Sequence, residues 1–276
     1  MNAPLSPGLY IVATPIGNLG DITLRAIETL RAVTAVACED TRVTGKLLNH
    51  LGFKQKLIRY DDHASDATRD HVLDLAAQGP IALTSDAGTP LISDPGFRLV
   101  VAARARGIAV TSLPGPSAAI VALTLAGLPS DRFLFAGFLP NKAKARKAAL
   151  EELAGVRATL VFYETAPRLG AALSAIGETL PGREIAVARE LTKRFEECRT
   201  GTAGELAAHY AAHPPKGEIV LVVAPPFAGV APQVFDLDAL LLAALATDKP
   251  SQAAGQVAKA TGLDRKVLYA RAMALK

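Results

Sequence analysis

The stretch Leu83-Thr84-Ser85-Asp86-Ala87-Gly88-Thr89-Pro90-Leu91-Ile92-Ser93-Asp94-Pro95-Gly96 decides how this chain is read. It follows Pro80-Ile81-Ala82-Leu83, an apolar β-prone run, and leads into residues 97–106, whose spacing is helical. It therefore reads as a loop at the carboxyl end of a strand, the place where open α/β sheets bind ligands. Gly88 and Gly96 permit positive-φ turns and a close approach of backbone to ligand. Asp86 and Asp94 put two carboxylates on the same loop. A purely structural alternative is two consecutive turns, with Asp94 capping a helix that opens at Pro95.

Outward from that loop, strand and helix patterns alternate. Leu9 to Ala13 reads as a buried strand, residues 14–21 (Thr-Pro-Ile-Gly-Asn-Leu-Gly-Asp) as a glycine-containing turn, and Ile22 to Arg31 as a helix capped by Asp21. A strand, a glycine loop and a helix N-terminus offer backbone N–H groups to a ligand's polar groups. The spacing is not Gly-x-Gly-x-x-Gly, which disfavours a dinucleotide-binding fold. Ala32 to Cys38 reads as a second strand that ends in Glu39-Asp40-Thr41-Arg42, polar groups that are costly at a strand end unless paired or functional. Further strands are expected at 56–60, 81–85 and 108–113, with a helix at 65–77. Pro114-Gly115-Pro116-Ser117-Ala118 is a turn that positions Ser117 to cap a helix over 118–126.

Leu128-Pro129-Ser130-Asp131 looks like a linker. Beyond it, strands are expected at 132–138, 159–164, 184–190 and 217–223, with a helix at 205–212 and some antiparallel pairing. The run Asn141-Lys142-Ala143-Lys144-Ala145-Arg146-Lys147 is basic and usually means a solvated helix face. Pro225, Pro226 and Pro232 mark a second linker, and two short helices around Thr261-Gly262-Leu263 resemble a helix-turn-helix in a basic tail. The expected organisation is an N-terminal α/β domain at 1–127, a second α/β domain at 128–226 and a helical extension at 227–276.

Composition sets the outer bounds. The 276 residues are 50% hydrophobic and 20% charged, which suits a globular chain with room for two cores and excludes a disordered one. Residues 1–7 lack the apolar core of a signal peptide, and the most apolar stretch, 108–128, is interrupted by Pro114 and Pro116, so no membrane span is expected. Cys38 and Cys198, without a CxxC pattern or nearby histidines, fit a reducing cytoplasm and give no support for a metal. A net charge of +4 is a mild hint of polyanion binding.

Several of these motifs in series resemble the ribosomal RNA small subunit methyltransferase I family, the RNA-acting branch of the tetrapyrrole-methylase superfamily. The matching stretches are residues 13–21, Glu39-Asp40-Thr41-Arg42, 85–96 and 114–118, then Phe162-Tyr163-Glu164 with Pro167-Arg168, 188–193 and Lys216-Gly217-Glu218. They run in order over about residues 8 to 226, and the tail resembles the family's C-terminal helices. The first motif departs from the superfamily's wider Gly-x-Gly-x-Gly-Asp form.

The resemblance implies two α/β domains of the tetrapyrrole-methylase type with S-adenosylmethionine in the cleft between them. It also implies a homodimer and 2′-O-methylation of a cytidine in 16S rRNA at the decoding centre. A ribose hydroxyl needs alignment with the methyl donor and a base for its proton. Lys193, Glu190 and Asp40 are the candidates for that chemistry. Backbone at Pro15 and Gly17, the Asp86-Ala87-Gly88 loop with Asp94, and Ser117-Ala118 are the expected cofactor contacts. Arg42, Lys142, Lys144, Arg146 and Lys147 are the expected RNA contacts. Methyl transfer needs no metal. Two rivals stay open at this point: a methylase of a tetrapyrrole or other small molecule, and a non-catalytic RNA-binding assembly factor.

Overall fold

A computed structural model describes residues 4–226, 237–261 and 265–275, of which the side chains of 259 and 260 are excepted. The chain divides into two compact units, 1–226 and 227–276. The first unit holds two five-stranded sheets.

The first sheet is wholly parallel. Its strands are β1 (Gly8–Val12), β2 (Ala35–Cys38), β3 (Leu57–Arg59), β4 (Pro80–Thr84) and β5 (Val110–Leu113), in the order β3-β2-β4-β1-β5. Both faces are buried, so the strands are near-continuous apolar runs. Leu9, Ala37, Ile81 and Leu83 pack with α3 (Asp66–Gln78) and α4 (Phe97–Ala105). Val12, Val36, Cys38 and Ala82 pack on the other side with α1 (Leu24–Ala32) and α2 (Thr41–His50).

The second sheet is mixed. β6 (Phe133–Phe138) pairs parallel with β7 (Thr159–Thr165). The remaining pairs, among β7, β10 (Glu218–Val223), β8 (Ile185–Arg189) and β9 (Glu197–Gly201), are antiparallel, as the sequence pattern suggests. Leu160, Phe162, Val187 and Leu221 face α6 (Ala143–Leu153), α7 (Leu169–Thr179) and α8 (Ala203–Ala212). The opposite face presents Val161, Ala186, Ala188, Val220 and Val222 to α5 (Ala118–Leu125) and to Ile16. The alanines leave room for a helix to lie close. Thus α5, which follows a strand of the first sheet, covers the second, and Ile16 from the loop after β1 joins it.

Local departures from the sequence reading have identifiable causes. Helix α1 is capped by Thr23, whose hydroxyl accepts from Ala26 N–H, while Asp21 lies in a 3-10 turn. Helix α2 was not anticipated: Thr41, Val43, Thr44 and Gly45 are poor helix formers, and the helix is held by burial of Thr44, Leu47 and Leu48 and by Asp40 as its N-cap. Helix α4 opens at Phe97 after Gly96, with φ of 132°, so Asp94 is not its cap. Ser117 precedes α5 without a capping hydrogen bond from its side chain. Arg168 lies in a 3-10 turn (Ala166–Arg168) that runs into α7. Strand β9 is a half-exposed, charged edge strand whose weak alternation hid it.

The second unit packs α9 (Leu237–Leu245), α10 (Pro250–Thr261) and α11 (Arg265–Ala274) around Leu241, Ala254, Val257 and Leu268. The expected glycine turn at 262–263 lies outside the described residues. Arg271 pairs with Asp238, and Arg265 donates to Ser251, so both cations are spent on contacts within the unit. Among the described residues no helix is long and apolar enough to cross a membrane.

Candidate functional site

The loops after β1 and β4 are joined at the carboxyl end of the first sheet. Thr14 N–H donates to the Gly88 carbonyl at 2.9 Å, and Gly88 N–H returns a bond to Thr14 at 3.0 Å. The Thr14 hydroxyl donates to the Ser85 carbonyl, and the Thr89 hydroxyl donates to the Pro116 carbonyl at 2.9 Å. Gly88 sits at φ 84°, a conformation that a residue with a Cβ adopts only with strain. These bonds fix one wall of a cavity of about 320 Å³. Its lining includes Ile16, Glu39, Asp86, Ala87, Gly88, Thr89, Ile92, Asp94 and Ala118 from that side. Tyr163, Glu190, Leu191, Lys193 and Ile219 come from loops and strand ends of the second sheet. The volume lies within the range usual for small-molecule sites.

Backbone strain concentrates at the same place. Among the described residues, the non-glycine positions with positive φ are Leu91, Ser93, Glu190 and Thr192. All four lie in the two loops that line this cavity. Such strain persists only where surrounding structure imposes it, and it clusters at functional sites.

Lys193 and Glu190 form a seated pair. Lys193 Nζ donates to Glu190 Oε1 at 3.0 Å, and Lys193 N–H donates to the Glu190 carbonyl at 3.0 Å. Two glycines make room for them. A Cβ at Gly17 would stand 2.7 Å from Lys193 Cγ, and one at Gly217 would stand 2.0 Å from Glu190 Oε1. The Pro-Ile-Gly and Lys-Gly-Glu motifs thus serve the pair sterically. Gly17 and Pro15 are not among the lining residues.

The carboxylates facing the cavity are unequal. Burial raises Asp94 to about 6, opposed by a hydrogen bond from Ser85 and reinforced by Glu39 and Asp86. Burial likewise raises Glu39, again with Asp86 adding to the effect. Tyr163 is pushed up by burial and by Asp94, against hydrogen bonding to the Ala119 backbone and the Ser117 side chain. A carboxyl whose folded pKa lies above its unfolded value supports folding at low pH and loses that support as pH rises through about 6. Asp94→Asn is therefore expected to gain in melting temperature relative to the parent between pH 4 and pH 7. A constant difference across paired melts at those two pH values would show that Asp94 is not held in a desolvated position.

Asp40 belongs elsewhere. Its carboxylate caps α2 and holds Arg42 through Nε and Nη2, and hydrogen bonding from Arg42 keeps it well below the usual carboxylate range. A carboxylate so occupied is a poor base, and Asp40 does not line the cavity, so it leaves the set of candidate bases. Its neighbour Glu39 lines the cavity instead, and nothing in the run Glu39-Asp40-Thr41-Arg42 distinguishes the two carboxylates before α2 and Arg42 claim one of them. Tyr163 also lines the cavity, with no local signal in the Phe162-Tyr163-Glu164 run to single it out. Strand alternation turns Tyr163 with Val161 toward the α5 side, whereas Glu164 follows Leu160 and Phe162 toward the helical layer and pairs with Arg168 at 3.1 Å.

The basic run is split by the helix period. Lys142, Lys144 and Lys147 are exposed. Arg146 is buried and donates to the carbonyls of Pro140 and Asn141, so it anchors the start of α6 and is not available as a phosphate contact.

Comparison with known proteins is consistent along the chain. The family described as Tetrapyrrole (Corrin/Porphyrin) Methylases matches residues 8–207, and the RsmI C-terminal HTH domain matches residues 232–276. The chain is 66% identical to a ribosomal RNA small subunit methyltransferase I from Erythrobacter litoralis, over 99% of this chain and 97% of that protein. It is 53% identical to one from Mesorhizobium japonicum, over 99% of this chain and 94% of that protein. A uroporphyrin-III-C-methyltransferase from Thermus thermophilus shares the fold, with a TM-score of 0.57 at 23% identity over 79% of this chain and 94% of that one. With the paired sheets, the Gly88 loop and the Lys193–Glu190 pair in place, this chain belongs to the ribosomal RNA small subunit methyltransferase I family of the tetrapyrrole (corrin/porphyrin) methylases.

Proposed function

We propose that this protein transfers the methyl group of S-adenosylmethionine to the ribose 2′-hydroxyl of a cytidine in 16S rRNA. The observation that carries the reading is one cavity lined both by the strained Gly88 loop of the first sheet and by the Lys193–Glu190 pair of the second. The substrate is the assembled small ribosomal subunit, which places the work in the cytoplasm. A homodimer is part of the proposal: Phe97 and Val101, one turn apart on α4, are large exposed apolar side chains of the kind an interface covers.

The residues present suit the cofactor. Ile16, Ile92, Leu191 and Ile219 offer apolar walls to a heteroaromatic base, and the peptide groups of Ala87 and Ala118 offer polar edges. Asp94, Asp86 and Glu39 offer negative charge to a cationic ligand. Ser117 and Pro15 flank these contacts. S-adenosylmethionine supplies, when bound, a methyl group made electrophilic by its sulfonium. Lys193 and Glu190 act on the other reactant. Glu190 fixes the amine, and the hydrogen bond between them is a route for the proton that the ribose hydroxyl gives up. Lys142, Lys144 and Lys147 supply phosphate contacts on the exposed face of α6.

Gly88→Val tests the reading. A Cβ there would meet Ile16 Cγ2 at 3.3 Å and the backbone would have to hold φ 84° with a branched side chain. Cofactor affinity by calorimetry should fall at least tenfold. Ribose mapping of 16S rRNA should show an unmodified cytidine in cells lacking the protein, restored by the parent gene and not by the variant. Wild-type affinity in a variant with an unchanged circular dichroism spectrum would remove this loop from the cofactor site.

A further inference from the structure

A second cavity, of about 650 Å³, adjoins the first and shares Glu39 and Asp86 with it. It lies at the carboxyl ends of β2 and β3, which pair in register from Val36↔Leu57 to Cys38↔Arg59. Its other lining residues include Asp40, Arg42, Arg59, Asp61, Asp62 and His63.

The two arginines are built alike. Arg42 is held by Asp40 through Nε and Nη2, and Arg59 is held by Asp61 through Nε at 3.0 Å and Nη2 at 2.9 Å. Each aspartate is itself fixed by a backbone N–H: Arg42 N donates to Asp40 at 2.8 Å and His63 N donates to Asp61 at 2.9 Å. The guanidinium side chains are nevertheless 85% and 76% exposed. Nη1 of each has no protein partner among the described residues. An isolated surface ion pair contributes little to stability. Two of them at one cavity, Arg42 in the first turn of α2 and Arg59 at the end of β3, hold planar donors ready for an oxyanion at a reduced entropic cost.

The remaining lining has the opposite character. Asp40 and Asp61 are consumed by their arginines, which leaves Asp86, Asp62 and Glu39 as acceptors. Burial and Asp86 raise Glu39. A ligand that fits is anionic at the arginines and carries hydroxyl or amino donors toward these carboxylates. That is the chemistry of a nucleotide.

We infer that this second cavity is the substrate nucleotide's own site, in which Arg42 and Arg59 clamp backbone phosphate while the ribose reaches Glu39 and Asp86 beside the cofactor cavity. The inference rests on the RNA methylation proposed above, and it adds Arg59, His63 and the aspartate supports to the substrate site. The supports position the arginines and do not touch the reacting atoms.

The test uses full-length protein, a fluorescein-labelled single-stranded RNA containing the target cytidine, and small subunits from cells lacking the protein. The Arg42→Gln/Arg59→Gln variant keeps side-chain bulk. Its RNA affinity should fall about 100-fold, from roughly tenfold per charged hydrogen-bonding group. The log–log salt slope should flatten by about 1.4, from about 0.7 per single-strand phosphate. Cofactor affinity by calorimetry and melting temperature should stay within twofold and a few degrees. Arg59→Lys should keep most of the slope but regain only part of the affinity, because an ammonium cannot reproduce the bidentate geometry. Parental affinity and slope in the double variant, with RNA binding intact in the parent, would overturn the inference and leave the methylation reading standing. A parent that methylates no subunit and binds no RNA would overturn both.

Discussion

Lys193→Ala is expected to lower methyl transfer to small subunits by about 10²- to 10⁴-fold, the usual consequence of losing a group that moves a proton in the transition state. The lysine is seated for that work: its stem lies over Gly17, its Nζ is 3.0 Å from Glu190, and both line the cofactor cavity. Cofactor affinity should change little, since the apolar and carboxylate walls remain. Lys193→Arg should not rescue turnover, because a guanidinium does not give up its proton in a protein. Single-turnover rates with saturating cofactor are the measurement. Activity within a few-fold of the parent would make Lys193 a structural partner of Glu190 and shift the chemistry to the carboxylate.

Arg168→Met should cost stability in a way that the double variant Glu164→Leu/Arg168→Met largely recovers. Glu164 is 1% exposed, and burial raises it above the usual carboxylate range despite Arg168. One oxygen accepts Thr165 N–H at 2.8 Å and faces Arg168 Nε at 3.1 Å, while Oε2 has no protein partner. Arg168 also donates to the Leu139 carbonyl, just before the loop that enters α6. Stripping the counter-charge from a buried carboxylate costs about 3 kcal/mol. For a chain of this size that is a fall in melting temperature of roughly 6–12 °C. The deficit should grow as pH rises from acid to alkaline, because a carboxyl raised by burial costs stability progressively between its unfolded and its folded pKa. Replacing both partners by apolar groups removes the buried charge together with its partner. A double variant no more stable than the single one would mean that the pair is not the source of the loss.

Much of the fold was legible because the signals were local. β1, β4, β7 and β10 are apolar runs long enough to be buried on both faces, and the glycine and proline loops between them punctuate the chain. Helix α2 and strand β9 were not legible. One is made of poor helix formers rescued by burial, and the other is an edge strand with charges on its exposed face. At the site, Asp86, Gly88 and Asp94, expected from the strand-end loop, and Glu190 and Lys193, expected from the resemblance and its chemistry, line one cavity. The exchange of Asp40 for Glu39 could not be read, since adjacent residues at the end of β2 turn to different surroundings and only Arg42 shows which one is occupied.

The sequence by itself determined the alternation of strands and helices, the strand-end loops that carry chemistry and the family, because each is written in short-range pattern and in motifs in series. Only the tertiary structure decided that α5 covers the second sheet, that Gly17 and Gly217 exist to seat Lys193 and Glu190, and that Arg146 is buried while its neighbouring lysines are exposed. Those outcomes depend on which surfaces meet in the folded chain, where excluded volume and desolvation, and not local propensity, choose among residues of the same chemical type.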